Sequence, residues 1–339
     1  CHLEVLPDGT RIPGGPSFAF PPPPTGAGGL PRLIFRVQVD KHLVDGGSPI
    51  SMNTEPFGMW MFRAFATPWQ NGPESQQLKE MTEAQFRDWR LAGLNGGALP
   101  RWNGSPYYPA KVPDLIGISE RKYIDHTGTH RNRGVGDLMR YAALVSFAES
   151  TEFAGHDMLG KVAQRPTARR SDEVLYALAL YLQSLKPPAN PNPRGIESEL
   201  GEKIFAREGC AGCHTPPYYT NNKLTLAKGF TPPTDSPQSA DILPLSVGTD
   251  PGLALNTRKG TGFYKVPSLK GVWYRGHFLH DGAAASLEEM FDPERLSESH
   301  VRGGFSPPGA PAKAIVGHEF GLRLSVEERK QLIAFLRTL

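Results

Sequence analysis

The chain has 339 residues, of which 39% are hydrophobic and 21% charged, enough apolar side chain to bury a core and too much for wholesale disorder. Its formal net charge of +3 is too weak and too evenly spread to demand a nucleic-acid or membrane partner. No run of 18 apolar residues occurs, so no segment is predicted to span a bilayer. The length suggests two domains, and 37 Gly with 33 Pro point to long, proline-stiffened loops. The chain starts at Cys1 with neither a charged nor an apolar leader, which reads as a processed or cut end.

In chain order, strand-like alternation is scarce outside Leu33 to Val39. Residues 21–113 are rich in Gly, Pro and Trp without periodicity, and read as loop wrapped around something. Within that stretch a helix is predicted from Thr82 to Leu91. Phe57, Trp60, Phe62, Phe65 and Trp69 form an apolar strip, read either as core packing or as a wall or relay beside a cofactor, a role open to Trp273 as well. Further helices are expected over Gly136 to Ser150 and over Ser171 to Leu185. The latter has Ser171 as N-cap, acids in its first turn, and Leu178, Leu182 and Leu185 on one face.

Lys186 to Pro193 holds four prolines in eight residues, which forbids helix and favours extended backbone. The domain boundary is placed there, giving domains over 1–190 and 191–339. Beyond it, Glu197 to Glu208 has Leu200, Ile204 and Phe205 at helical spacing and Gly209 as a natural stop. A short helix is expected over Ser286 to Phe291. The last fifteen residues, Ser325 to Leu339, align without a gap on Ser171 to Leu185, with five identities and Leu at the eighth, twelfth and fifteenth positions of both. Two similar domains, each closed by the same helix, is the economical reading. The fold class is mainly α.

Three cysteines cannot all pair with one another, and Cys210 and Cys213 stand only three apart, which disfavours a disulfide framework. Cys210-Ala211-Gly212-Cys213-His214 is a C-x-x-C-H run, the pattern for covalent attachment of haem c. Two thiols one helical turn apart can form thioethers to the two vinyl groups of one haem, while the adjoining imidazole reaches the iron. A zinc site would need a second Cys/His pair, and a thioredoxin-type dithiol would want a βαβ context that the sequence lacks. Cys1-His2 has the form of the last two residues of a second such motif. The alternatives are an acylated cysteine exposed by signal cleavage and an ordinary N-terminal thiol.

Three segments carry a resemblance: GEKIFAREGCAGCHTPP at 201–217, YKVPSLKGVWYRGHFLHDGAAASLEEMF at 264–291 and GHEFGLRLSVEERKQLIAFL at 317–336. They resemble the bacterial dihaem cytochrome c peroxidase superfamily, in the branch similar to the dihaem rubber oxygenases. The first domain is similar more loosely, through GVGDLMRYAA at 134–143 and its closing helix. The resemblance implies two tandem cytochrome c-like domains with long Pro/Gly-rich loops, one covalent haem c each, and calcium between the domains as a candidate.

It further implies His214 as proximal iron ligand of the second haem, with His318 on the opposite face and His280 of the His-Asp-Gly run as rival. No Met stands before KVPSL, where the peroxidases place a ligand; Phe263 and Tyr264 do, and a related branch uses Tyr there. Met290 reads as core packing. For a first haem the proximal candidate is His2, following Cys1.

The catalytic candidates are His126, His130 and Arg140, within a cluster that also holds Arg131 and Arg133; a solvated basic loop is the other reading of it. Family peroxidases carry a glutamate in the segment equivalent to 137–142, whereas Arg140 cannot act as a base at neutral pH. The implied function is a dihaem c-type oxidoreductase. Its second haem passes electrons to a first haem that reduces peroxide or activates dioxygen, with a redox protein or small oxidant as partner. The alternative is a non-catalytic dihaem or monohaem electron carrier. Covalent haem attachment outside the bacterial cytoplasm implies a periplasmic or otherwise exported protein.

Overall fold

A computed structural model describes residues 2–16, 98–99, 110–146, 152–153, 156–157, 171–234, 239–256, 260–306 and 312–339. The expected strand at 33–39, the helix at 82–91 and the aromatic strip at 57–69 lie outside the described residues. The helices are α1 (Val135–Ser146), α2 (Asp172–Ser184), α3 (Ile196–Arg207), α4 (Gly252–Asn256), α5 (Leu287–Met290) and α6 (Val326–Arg337). The described residues are thus helix-rich with few strands, as the mainly α reading expects. Among them, no helix is long and apolar enough to cross a membrane.

Local chemistry explains the ends of these helices. The Ser325 hydroxyl accepts from the Glu328 N–H at 3.2 Å while the Glu328 carboxylate accepts from the Ser325 N–H at 3.0 Å, a reciprocal cap that satisfies two orphan donors of α6. Ser171 caps α2 by accepting from the Val174 N–H at 3.4 Å. α3 stops at Gly209, which turns at φ 74° into a 3-10 turn over Cys210–Gly212. The chain from Lys186 to Gly195 forms neither helix nor strand, as its prolines require.

α3 and α6 pack together around Ile204, Phe205, Leu332, Phe335 and Leu336, and this core continues through Leu287, Met290 and Phe291 of the α5 region. α1 and α2 form the second helical pair, with Leu138, Tyr141, Ala179 and Leu182 buried alongside Leu115, Ile118 and Ile124.

The strands are two or three residues long, too short for alternation to register in a sequence pattern. β1 (Leu3–Val5) pairs with β2 (Arg11–Pro13), β3 (Ala98–Leu99) with β4 (Ala110–Lys111), and β5 (Glu152–Phe153) with β6 (His156–Asp157), all antiparallel. β7 (Leu224–Leu226) lies between β8 (Ile242–Leu243), to which it is parallel, and β9 (Phe263–Lys265), to which it is antiparallel.

Residues 110–132 are joined to this sheet by polar contacts. The Lys265 N–H donates to the His126 carbonyl at 2.9 Å, the Asn222 side chain donates to the Glu120 carbonyl at 2.9 Å, and the Tyr123 hydroxyl donates to Asp241 at 2.6 Å. Burial and that carboxylate raise the Tyr123 hydroxyl well above its ordinary range.

Gly201 is where α3 and α6 touch. A Cβ there would stand 1.9 Å from the Gln331 carbonyl oxygen and 2.8 Å from the Phe335 Cβ. Helix propensity alone makes Gly201→Ala stabilising by about 1 kcal/mol, but overpacking between two helices costs about 1–3 kcal/mol. We expect a net loss of stability, read as a lower urea midpoint of the mature protein; a raised midpoint would show that the helices can part freely.

Candidate functional site

The 3-10 turn after α3 sets Cys210, Cys213 and His214 on one short loop. The Cys213 and His214 N–H groups both donate to the Cys210 carbonyl, at 3.2 and 2.8 Å. Both cysteines are free thiols, partly buried. Burial pushes the Cys210 thiol up to about 11 and raises Cys213 as well.

The His214 ring is fixed from behind. Its Nδ1 lies 3.2 Å from the Tyr219 carbonyl and 3.1 Å from the Pro267 carbonyl. Carbonyl oxygens only accept, so Nδ1 carries the proton and Nε2 keeps its lone pair. Burial lowers the His214 pKa despite both carbonyls, which favours the neutral ring that a metal ligand needs.

His318 faces it. The two ring centres are 6.3 Å apart and the planes 60° apart. The His318 backbone is left-handed, φ 47°, beside Gly317 at φ 79°. A Cβ on Gly317 would meet the Thr249 nitrogen at 2.1 Å, so only glycine lets the turn press this close. The His318 N–H donates to the Val247 carbonyl at 2.6 Å. Burial, with His214 and Arg295 nearby, brings His318 down to about 4, and its buried Nδ1 has no hydrogen-bond partner from another described residue.

Arg295 holds that turn. It is fully buried and donates to the carbonyls of Met290 at 2.9 Å, Gly317 at 2.8 Å, His318 at 2.9 Å, and Ile315. No carboxylate pairs with it among the described residues, and burial lowers its pKa.

Between the two imidazoles lies a cleft with about 1520 Å³ of empty space, part of it open to solvent. Its walls are mostly apolar, including Phe205, Val272, Leu279, Met290, Phe291 and Leu336, and both motif cysteines line it. Two imidazoles sharing one metal ion at about 2.0–2.1 Å per nitrogen have ring centres about 6 Å apart. The 6.3 Å separation, the orphaned His318 nitrogen and two thiols on an apolar wall therefore fit a covalently tethered haem with two axial histidines.

The remaining sequence candidates are dispersed. His280 lines the cleft but stacks on Tyr264, with ring centres 4.4 Å apart and its Nε2 3.3 Å from the Tyr264 hydroxyl. Tyr264 donates that hydroxyl to the Asp250 carbonyl at 2.7 Å, and burial holds it well above the ordinary phenol range. His126 lines the cleft with its Nε2 3.0 Å from the Lys111 carbonyl, and burial drives its pKa well below the usual imidazole value.

His130 sits edge-on to Tyr141 at 5.1 Å, and Arg131 lies 3.8 Å from Asp241. Arg140 is exposed and, with Arg133, pairs with Asp137 in the first turn of α1. The cluster that the sequence brings together is thus divided, with only His126 of it at the cleft. The His2 carbonyl accepts from the Gly14 N–H at 2.9 Å, while Cys1 lies outside the described residues. Met290 is buried in the core, as expected of a packing residue, and also lines the cleft.

Sequence reasoning passed over Lys111, Lys265 and Arg275, which line one side of the cleft, the two lysines half-buried and Arg275 buried, and over Arg295. Burial, aided by nearby arginines, brings both lysines down to about 7. Lys265 was legible as part of the YKVPSL segment; Arg295 carries no sequence signal.

No family model matches the chain. It is 25% identical over 150 residues to the methylamine utilization protein MauG of Methylorubrum extorquens, a match covering 43% of this chain and 35% of that protein, so it spans about a third of the relative's length. A crystal structure of a MauG-like protein associated with microbial copper homeostasis aligns over 68% of this chain and 73% of that one, with 15% identity and a TM-score of 0.40.

Replacing Arg295 by Met would strip donors from four buried carbonyls. Each unsatisfied group costs about 1–3 kcal/mol, so a loss of about 3 kcal/mol or more is expected in denaturant unfolding. A change under about 0.5 kcal/mol would mean that water replaces the guanidinium.

Proposed function

We propose that this chain is an exported c-type haem oxidoreductase of the dihaem kind. Cys210 and Cys213 would tether one haem, whose iron His214 and His318 would hold, and a second haem held at His2 would supply the chemistry for a small oxidant such as peroxide or dioxygen. The observation that carries the reading is the 6.3 Å opposition of His214 and His318 across an apolar cleft that also presents both thiols. The distant similarity to MauG supports it.

A haem held there supplies a one-electron iron couple whose potential depends on its axial ligands and on burial. The chain's own residues do the rest. The Tyr219 and Pro267 carbonyls keep the proton on His214 Nδ1 and so orient the ring, leaving Nε2 to face a metal. The Gly317 turn and Arg295 fix His318 on the other side. Phe205, Val272, Phe291 and Leu336 exclude water from the faces. With a histidine on each side, this position suits electron passage, and oxidant chemistry belongs to the first domain.

One observation favours the simpler alternative of an electron carrier: Arg140 is exposed and tied to Asp137, and His130 packs on Tyr141, so both catalytic candidates are engaged with neighbours.

The test is absorption and EPR of the mature protein with and without peroxide, together with its mass. We expect a pyridine haemochrome and a low-spin signal, lost in Cys210→Ala/Cys213→Ala and converted to high spin in His318→Ala. A second signal that responds to peroxide would mark catalysis, and an unresponsive protein would mark a carrier. A colourless mature protein would overturn the reading altogether.

A further inference from the structure

The side of the cleft formed by Lys111, Lys265 and Arg275 is also the wall of a second cavity, which none of Cys210, Cys213, His214 and His318 lines. The cationic groups therefore stand at the margin of the cleft away from the thiols. Cationic groups outnumber carboxylates on this wall, with Asp281 near Lys111 and Asp125 near Lys265. Among the described residues, the second cavity is lined by Lys111, Arg121, Lys265 and Arg275 against the single carboxylate of Asp114.

That carboxylate is already engaged. Asp114 accepts from the Ile116 N–H at 3.0 Å and from Arg121 at 3.0 Å, with Arg275 at 3.6 Å and the Tyr274 hydroxyl at 3.5 Å. Lys265 donates to the carbonyls of Ile124 at 2.7 Å and Tyr123 at 3.2 Å, and Lys111 to that of His277 at 2.7 Å. Carbonyls satisfy the N–H groups but bring no negative charge. Arg275 donates to the Ser268 carbonyl at 2.6 Å, and its buried Nε has no partner among the described residues.

A buried guanidinium with an unmatched Nε is costly unless an anion joins it, and the half-buried Lys111 and Lys265 line the same wall. An occupant with a flat apolar body and carboxylates on one edge matches both the walls of the cleft and this margin. We propose that Lys111, Lys265 and Arg275 form a carboxylate clamp for the two propionates of the porphyrin tethered at Cys210 and Cys213. The proposal rests on the haem reading above. The clamp fixes the macrocycle's rotation in its plane, and its positive charge favours the reduced, more electron-rich iron, raising the potential of the couple.

The test uses mature wild type and the variants Lys265→Met, Arg275→Met and Lys265→Arg. Resonance Raman reads the propionate bending bands and redox titration reads the midpoint potential. Both Met variants should shift the bands and lower the potential, and Lys265→Arg should restore most of both. If the Met variants fail to mature, wild type in H2O and D2O decides, because carboxylates bonded to exchangeable N–H groups shift their bands on deuteration. Bands and potential that do not move in a protein with a normal haemochrome overturn the clamp and leave the haem reading intact. Bands insensitive to the variants, with a potential that follows added inorganic phosphate, assign the site to a free anion and overturn it too. A colourless protein overturns both readings.

Discussion

The structure around the cleft depends on two neutral imidazoles being held opposite each other, planes 60° apart, by backbone groups far apart in the chain. His214 is set by the turn that ends α3 and by carbonyls at 219 and 267; His318 is set by a left-handed turn gripped by Arg295. Neither ring is placed by its own helix or strand. Their separation is therefore a property of the tertiary packing of α3 against α6 and of the 315–318 turn against residues 247–249.

Desolvation does most of the chemical tuning. Burial is the largest cause of the lowered pKa at His214 and His318 and of the raised one at Cys210 and Cys213. It favours neutral imidazoles and disfavours thiolates at these positions. The same loss of water weighs on Lys111 and Lys265. A cleft apolar on its faces and cationic at one margin suits an amphipathic occupant, whose apolar body covers the walls while its charged edge meets the cations.

Arg295 and Arg275 show two uses of a buried guanidinium. Arg295 spends its donors on carbonyls of a single turn and acts as a rigid cross-brace. Arg275 shares Asp114 with Arg121 and keeps Nε unmatched beside the cleft. A brace needs geometry and a clamp needs a surplus of charge, and the hydrogen-bond patterns differ accordingly.

The sequence alone determined the local features: the caps at Ser171 and Ser325, the stop at Gly209, the helices they bound, and the C-x-x-C-H turn. Each rests on side chains within a few residues of one another, where spacing is geometry. The resemblance also favoured His318 over its rival His280, but the distance of either ring from residue 214 depends on which loop folds back over it.

The two- and three-residue strands were illegible for want of a period, and Arg295 for want of neighbours in sequence. His126, His130 and Arg140 looked like one cluster because they are near in the chain. Tertiary structure separated them, turning His126 to the cleft and tying Arg140 to Asp137, because burial and ion pairing are settled by what packs against a segment and not by what precedes it.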